Sequence, residues 1–104
     1  MTEPLPEFDA THPGGAVVFR SCRGGCLHSV SLTAAAMSAD AAALAQAIIL
    51  AADVSFLKAA LQIRREIVSA GHTPSAALPT VDDLRVAAGR LAEHHLHRGR
   101  RTAG

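Results

Sequence analysis

Aromatic side chains are scarce in this chain, which has no tryptophan or tyrosine and only three phenylalanines among its 104 residues. Apolar residues reach 49%, but alanine supplies much of that share and buries little area per residue, so we expect a core that is thin for the chain's length. The scarcity also argues against the stacked aromatic platforms that hold single-stranded nucleic acid.

Charged residues are few as well, at 18%, and the net charge is +1. This balance excludes the chain-wide basic field that draws a protein to nucleic acid or to an anionic membrane. One local basic cluster stands near the end, in HRGRR. If the chain bound DNA, its arginines Arg98, Arg100 and Arg101 would be the expected contacts.

Long apolar runs are missing too. The most apolar stretch, residues 41–52, is too short to cross a bilayer, and the first twenty residues lack the basic start and apolar run of a secretory signal. We therefore expect one cytoplasmic domain. In that reducing compartment two cysteines favour free thiols over a disulfide.

Both cysteines lie in SCRGGC, between two runs rich in β-formers, AVVFRSC and CLHSVSL. These predict a hairpin with strands at about 16–22 and 26–32. A two-residue Gly-Gly turn places Val17 opposite Leu32 and Phe19 opposite Val30 on one apolar face, whereas a three-residue loop scatters the apolar side chains over both faces.

The two-residue turn has a consequence for the thiols. It places Cys22 and Cys26 on opposite faces of the hairpin, so that they neither bond to each other nor share a metal. Cys26 is then expected to be the more protected thiol, and Cys22 to lie on the wetter face.

Helix signals follow the hairpin. Ser38 as N-cap and Gly71 at the stop predict one long helix over about 38–70, and Thr80 with Asp83 predicts a second helix over about 80–95. Residues 1–15 are expected to be a disordered or extended lead-in whose Phe8 docks on the domain, and 96–104 a flexible basic tail. The prediction is a single α+β domain at 16–92, an N-terminal β-hairpin packed on one long α-helix and followed by a short C-terminal helix.

The long helix carries two apolar seams that the predicted hairpin cannot cover, because seven-residue strands span about 23 Å and a 33-residue helix about 50 Å. We expect the uncovered surface to form a homodimer through helix or sheet-edge contacts, or to receive a helix of a different protein. The predicted partner or dimer interface consists of Ile49, Leu50, Val54, Phe56, Leu57, Leu61 and Ile63.

Catalytic and ligand-binding patterns are weak. Cys26 and His28 lie on one strand without a third catalytic member, and no Lys-Ser/Thr follows the two glycines as a phosphate loop requires. For His94, His95 and His97 a solvated helix end is favoured over a weak metal site or a pH-sensitive patch. We expect no enzyme, no cofactor, no resident metal and no membrane partner.

The run from THPGGAVVFRSCRGGCLHSVSLT through AAALAQAIILAADVSFLKAALQIRREI resembles the mycobacterial EspH-like small proteins associated with ESX (type VII) secretion. The shared pattern is a strand, a glycine turn, a strand ending in VSL, and a long helix. The arrangement also resembles the YbaB/EbfC-like fold, which pairs as a dimer. The first resemblance implies a non-enzymatic adaptor or chaperone for secreted helical substrates. The second implies the alternative, a nucleoid-associated DNA-binding protein.

Overall fold

The computed structural model describes residues 8–23 and 26–96. In this part of the chain a three-stranded antiparallel sheet, in the order β1-β2-β3, packs against one long helix. The elements in chain order are β1 (Ala10–Thr11), β2 (Val17–Ser21), β3 (Leu27–Leu32), α1 (Ala34–Met37), α2 (Ala41–Ser69) and α3 (Val81–Glu93). The predicted α+β class is confirmed, with a hairpin, a long helix and a short C-terminal helix.

The predicted hairpin register is confirmed along most of β2 and β3. Val17 lies opposite Leu32, and Phe19 lies opposite Val30. Val17 is fully buried, and Phe19 and Val30 pack against the core cluster. The apolar alternation of the two strands therefore selected the correct register, because a slip by one residue would have turned this set toward water.

Near the hairpin tip the prediction is wrong. The two-residue turn would place Ser21 opposite His28, but a bulge places Ser21 opposite Leu27, and the Cys22 amide then donates to the Cys26 carbonyl at 2.7 Å. The cysteines are therefore opposed across the ladder, and Cys26 is the exposed thiol while Cys22 is half-buried. The extra residue taken up by the bulge changes the register beyond it; the two glycines of the tip lie outside the described residues.

Strand β1 was not predicted. It lies inside the segment expected to be a lead-in, and it pairs Ala10 with Phe19 on β2. The chain returns to β2 through Gly14 and Gly15, whose positive φ angles of 91° and 79° suit glycine. Phe8 docks in the core as expected, at 2% exposure. The packed structure thus includes residues N-terminal to the predicted boundary at 16, while residues 1–7 lie outside the described part.

The long helix begins later than predicted. Ser38 ends the short α1 instead of capping the long helix, and the N-cap of α2 is Asp40, whose carboxylate accepts from the Ala43 amide at 3.1 Å. Serine and aspartate both cap helices well, so the local pattern does not decide between Ser38 and Asp40. The short α1, capped by Thr33, takes up Ser38 at its end. The stop at Gly71 is confirmed, with a φ of 87°.

Helix α3 begins as predicted. Thr80 accepts from the Asp83 amide, and the Asp83 carboxylate accepts from the Thr80 amide at 2.8 Å, which completes the capping box. The helix ends at Glu93, two residues before the predicted end, and Leu96 beyond it packs against the core. The remainder of the predicted basic tail, 97–104, lies outside the described residues.

The core is built largely from alanine, which lets α2 approach the sheet closely. A buried polar contact joins the two layers: the Ser55 hydroxyl donates to the Phe8 carbonyl at 2.6 Å and lies 2.5 Å from the Ser21 hydroxyl. Nearby, the Lys58 ammonium donates to the Asp9 carbonyl at 2.7 Å. These contacts hold β1 and β2 on one side of α2 and so determine which side remains open.

Candidate interaction surface

The seven predicted interface residues divide between two faces of α2. Val54, Leu57 and Leu61 are at most 8% exposed, and Val54 and Leu57 share a core cluster with Ala87 and Leu91 of α3. Leu50 is partly buried against the same cluster. These four side chains are therefore covered within one chain, because α3 packs on the apolar seam of α2 that the predicted hairpin could not cover.

The other three predicted residues lie on the opposite face and are available. Ile49 is 60% exposed, Phe56 is 44% exposed, and Ile63 is half-buried. Together with the half-buried Ile67 they follow a helical spacing of seven, seven and four residues. We call this set the α2 outer face. Asp53, the only charged residue between 41 and 57, is exposed and lies four residues after Ile49 and three before Phe56, so the face is an apolar stripe bordered by one carboxylate.

Strand β3 is the second uncovered feature. It is an edge strand with β2 as its neighbour, and within the described residues no further strand pairs with it. Leu27 is 59% exposed and Leu32 is 39% exposed. An edge of this kind presents unpaired backbone donors and acceptors beside exposed apolar side chains.

The two features lie on the same side of the molecule. Successive positions of a helix turn by about 100°. Lys58 of α2 reaches β1 and Ser55 reaches Ser21 of β2. Continuing in the same direction around the helix, the next positions are Ala52, Phe56 and Ile49. The α2 outer face therefore lies toward β3.

Helix α3 covers the opposite, β1 side. At one end of this side Phe8 and Leu84 line a cavity of about 310 Å³ together with Lys58, Gln62 and Arg65. At the other end the His12 and His94 rings meet edge to face, with Nε2 and Nδ1 3.0 Å apart. One side of the α2–sheet unit is therefore closed, and the side formed by β3 and the α2 outer face is open; we call the latter the open side.

Sequence reasoning did not single out His12, which is 2% exposed. Its Nδ1 lies 2.8 Å from the Pro13 carbonyl and must carry the proton to donate there, so a neutral His12 accepts at Nε2 from His94 Nδ1. His94 is half-buried and not a solvated histidine as expected, whereas His95 is exposed. The only sequence signal was a histidine next to proline in a turn-forming segment.

The histidine pair borders a larger cavity of about 590 Å³ between the β1–β2 turn, α1 and the end of α3. His12, His94 and His95 all line it, but no group of three potential metal-binding residues with suitable geometry occurs in the part of the chain that the structure describes. The pair joins the turn after β1 to the end of α3, 82 residues apart in the chain.

Arginines were the expected contacts in the DNA-binding alternative. Arg98, Arg100 and Arg101 lie outside the described residues. Among the others, Arg23 and Arg85 pair with Glu66 and Asp82. Arg20 donates two hydrogen bonds to Asp9, at 2.9 and 2.8 Å, and these bonds and the carboxylate charge raise the pKa of Arg20 above its ordinary value. These three arginines are therefore engaged by carboxylates within the chain.

Helix α2 is long and apolar enough to cross a membrane, by length and composition alone. Its most apolar 18-residue window has a mean hydropathy of 1.7, and 44% of that window is buried inside the fold. The stretch considered in the sequence, 41–52, was shorter because it stopped at Asp53. Core helices of soluble proteins have the same properties, so this is weak evidence for a membrane location.

Known proteins resemble the chain over almost its full length. The uncharacterized proteins Rv0028 of Mycobacterium tuberculosis and Mb0029 of Mycobacterium bovis are each 59% identical to it over 101 residues, which is 97% of this chain and 100% of the relative. No solved structure matches. The family described as protein of unknown function DUF2694 matches residues 1–97. The chain therefore belongs to the DUF2694 family, which has uncharacterized members in mycobacteria.

Proposed function

We propose that this protein is a non-enzymatic accessory protein, an adaptor or chaperone for type VII secretion substrates, which works in the cytoplasm by binding a helix of another protein on the α2 outer face. The observation that carries the proposal is the exposure of Ile49 and Phe56 on a helix face that no described element covers. The secretion context rests on the resemblance to EspH-like proteins, and the uncharacterized relatives contribute only that the family occurs in mycobacteria.

The chemistry of the face suits a helical partner. Apolar side chains at a spacing of three, four or seven residues form a stripe into which an amphipathic helix can lay its own apolar side chains. Contiguous exposed apolar surface of this kind marks binding sites in soluble proteins. An aromatic side chain such as Phe56, near the middle of the stripe, can bury a large apolar area against a partner.

The proposal is tested by placing a photo-crosslinking amino acid at position 56 in the cell. The matched control carries it at Val86, which is 49% exposed on α3 and has nearly the same exposure as Phe56. We expect position 56, but not position 86, to crosslink to a secreted helical protein. Equal capture at both positions, or none at position 56, would contradict the proposal.

Binding energy is tested separately with Phe56→Asp against Val86→Asp. Both substitutions place a charge at a partly exposed position, so each chain should keep its fold. We expect only Phe56→Asp to abolish co-purification of the crosslinked partner. Val54, Leu57 and Leu61 are unsuitable targets because they are buried, and a charge there would unfold the chain.

A further inference from the structure

We infer that β3 pairs in antiparallel fashion with β3 of a second copy of this chain, so that two three-stranded sheets join into one six-stranded sheet. The inference depends on the edge, its backbone register and its charge. It does not depend on what the protein binds.

The two edges of the sheet differ in how well they are protected. β1 has only two paired residues and is followed by Pro13 after one residue, and short edges near proline are poor templates for pairing. β3 has six residues, LHSVSL, without proline, lysine or any formally charged side chain. Natural edge strands that remain unpaired usually carry such protective features or a bulge. β3 has a bulge at its Leu27 end, and its regular part from Ser29 to Leu32 has no protective feature.

Backbone geometry limits how two copies can meet. The Thr33 amide donates to the Ala16 carbonyl at 3.0 Å, and hydrogen-bonded pairs alternate along an antiparallel ladder. The backbone groups of Ser31 and Ser29 therefore point toward β2, and those of Leu32 and Val30 point outward. A second strand must match outward residues with outward residues, so registers shifted by one residue are excluded.

Among the allowed registers, we favour the one centred on Val30, which places the apolar Val30 pair on the two-fold axis and keeps Leu32 in the ladder. Val30 lies opposite Val30 of the second copy, and His28 lies opposite Leu32. The Val30 pair contributes two backbone hydrogen bonds, and the His28–Leu32 pairs add to these where the bulge leaves the His28 backbone groups pointing outward. On the wet face of the sheet, Ser29 then lies opposite Ser31 across the two-fold axis.

This register also places both long helices on the same face of the joined sheet. Directly opposed residues point to one face, and Val30 packs against the core on the α2 side. Because α2 lies above β2, three strand spacings separate the two helices, or about 14 Å at 4.8 Å per strand. Directly packed helices lie about 8–10 Å apart, so the two α2 outer faces border a groove.

The favoured occupant of the edge is a second copy and not a foreign strand. The edge has no formal charge to repel its own copy, and its pattern is self-complementary about Val30. Pairing of the two strands, each about 20 Å long, brings the 39% exposed Leu32 side chains to the seam between the copies, while the two α2 outer faces stay apart.

If the proposed function is also correct, the groove holds one partner helix between two α2 outer faces, with one partner bound per two chains. This statement alone depends on the proposed function. The pairing of β3 is measured on the purified chain without any partner, so the two ideas can fail independently.

The test compares two double variants that share a lysine at position 29 and differ at position 31, which is lysine in one variant and glutamate in the other. Ser29→Lys with Ser31→Lys places like charges opposite each other only in the dimer, whereas Ser29→Lys with Ser31→Glu places opposite charges there. Both variants share the lysine that faces Arg20 within the chain, so any cost to the monomer's fold from that lysine is matched. Circular dichroism checks that both are folded.

We expect light scattering after size-exclusion chromatography to give the wild type about 21 kDa, twice the 10.7 kDa of one chain. The Lys/Lys variant should dimerise on the order of tenfold more weakly than the Lys/Glu variant. A wild type that stays monomeric at its highest soluble concentration would overturn the pairing. Equal dimer dissociation constants for the two variants would overturn this register.

Discussion

The buried serine pair between α2 and the sheet yields the most quantitative prediction. Ser55→Ala removes a hydroxyl that donates to the Phe8 carbonyl at 2.6 Å and contacts the Ser21 hydroxyl at 2.5 Å. Ser55 and Ser21 are fully buried, so water cannot replace the lost partner without a rearrangement. A buried polar group left unsatisfied costs about 1–3 kcal/mol, and two groups lose their partner here.

We therefore expect Ser55→Ala to lower the free energy of unfolding by about 2–4 kcal/mol. Ser21→Ala should cost less, about 1 kcal/mol, because Ser55 can still donate to the Phe8 carbonyl. In the double variant only that carbonyl is left without its partner. The double substitution should consequently cost about 1–2 kcal/mol less than the sum of the two single ones.

Urea unfolding followed by far-ultraviolet circular dichroism is the suitable assay, because the chain has no tryptophan or tyrosine for fluorescence. Ser69→Ala, at an exposed position on the same helix, is the control and should change stability by less than about 0.5 kcal/mol. A Ser55→Ala effect no larger than the control, or strictly additive single substitutions, would refute the role assigned to this contact.

Three further predictions concern other parts of the fold. Cys26 should react with a thiol reagent faster than Cys22, because it is exposed while Cys22 is half-buried; the reverse order of rates would contradict the bulged register. Thr80→Ala should lower the free energy of unfolding by about 1 kcal/mol through loss of the capping box, and the same substitution at exposed Thr73 should have little effect in the same urea assay. Replacing the three tail arginines of HRGRR by glutamine should leave the mobility of duplex DNA in a gel-shift assay unchanged if the adaptor proposal holds, whereas a salt-dependent shift that disappears in the variant would favour the DNA-binding alternative.

Local signals predicted a large part of this fold. The capping box of Thr80 with Asp83 and the stop at Gly71 involve only neighbouring residues, so the local sequence is enough to predict them. The main register of the hairpin was also accessible, because the alternation of apolar residues in both strands allows few pairings that bury one face. The bulge was not accessible, since strand alternation favours the regular pairing of Ser21 with His28 and nothing in the local pattern marks an extra residue.

The candidate site could be predicted only in part. Its residue types and the existence of uncovered apolar surface on the long helix followed from periodicity and length. The division into a buried seam and an exposed face did not follow, because Val54 and Phe56 are both apolar side chains and residue type does not show which of them is buried. Their separation depends on the side of α2 to which α3 returns after the proline-containing linker.

The sequence by itself determined the α+β class, the hairpin pairing through Val17 and Phe19, and the excess of apolar surface on the long helix, because these are properties of spacing and residue type. Only the tertiary structure decided that β1 joins the sheet, that His12 meets His94, and that α3 covers the β1 side. Each of these contacts joins segments distant in the chain, and their free energy depends on three-dimensional packing that no local pattern specifies. The same packing leaves β3 and the α2 outer face open together, which is where a partner can bind.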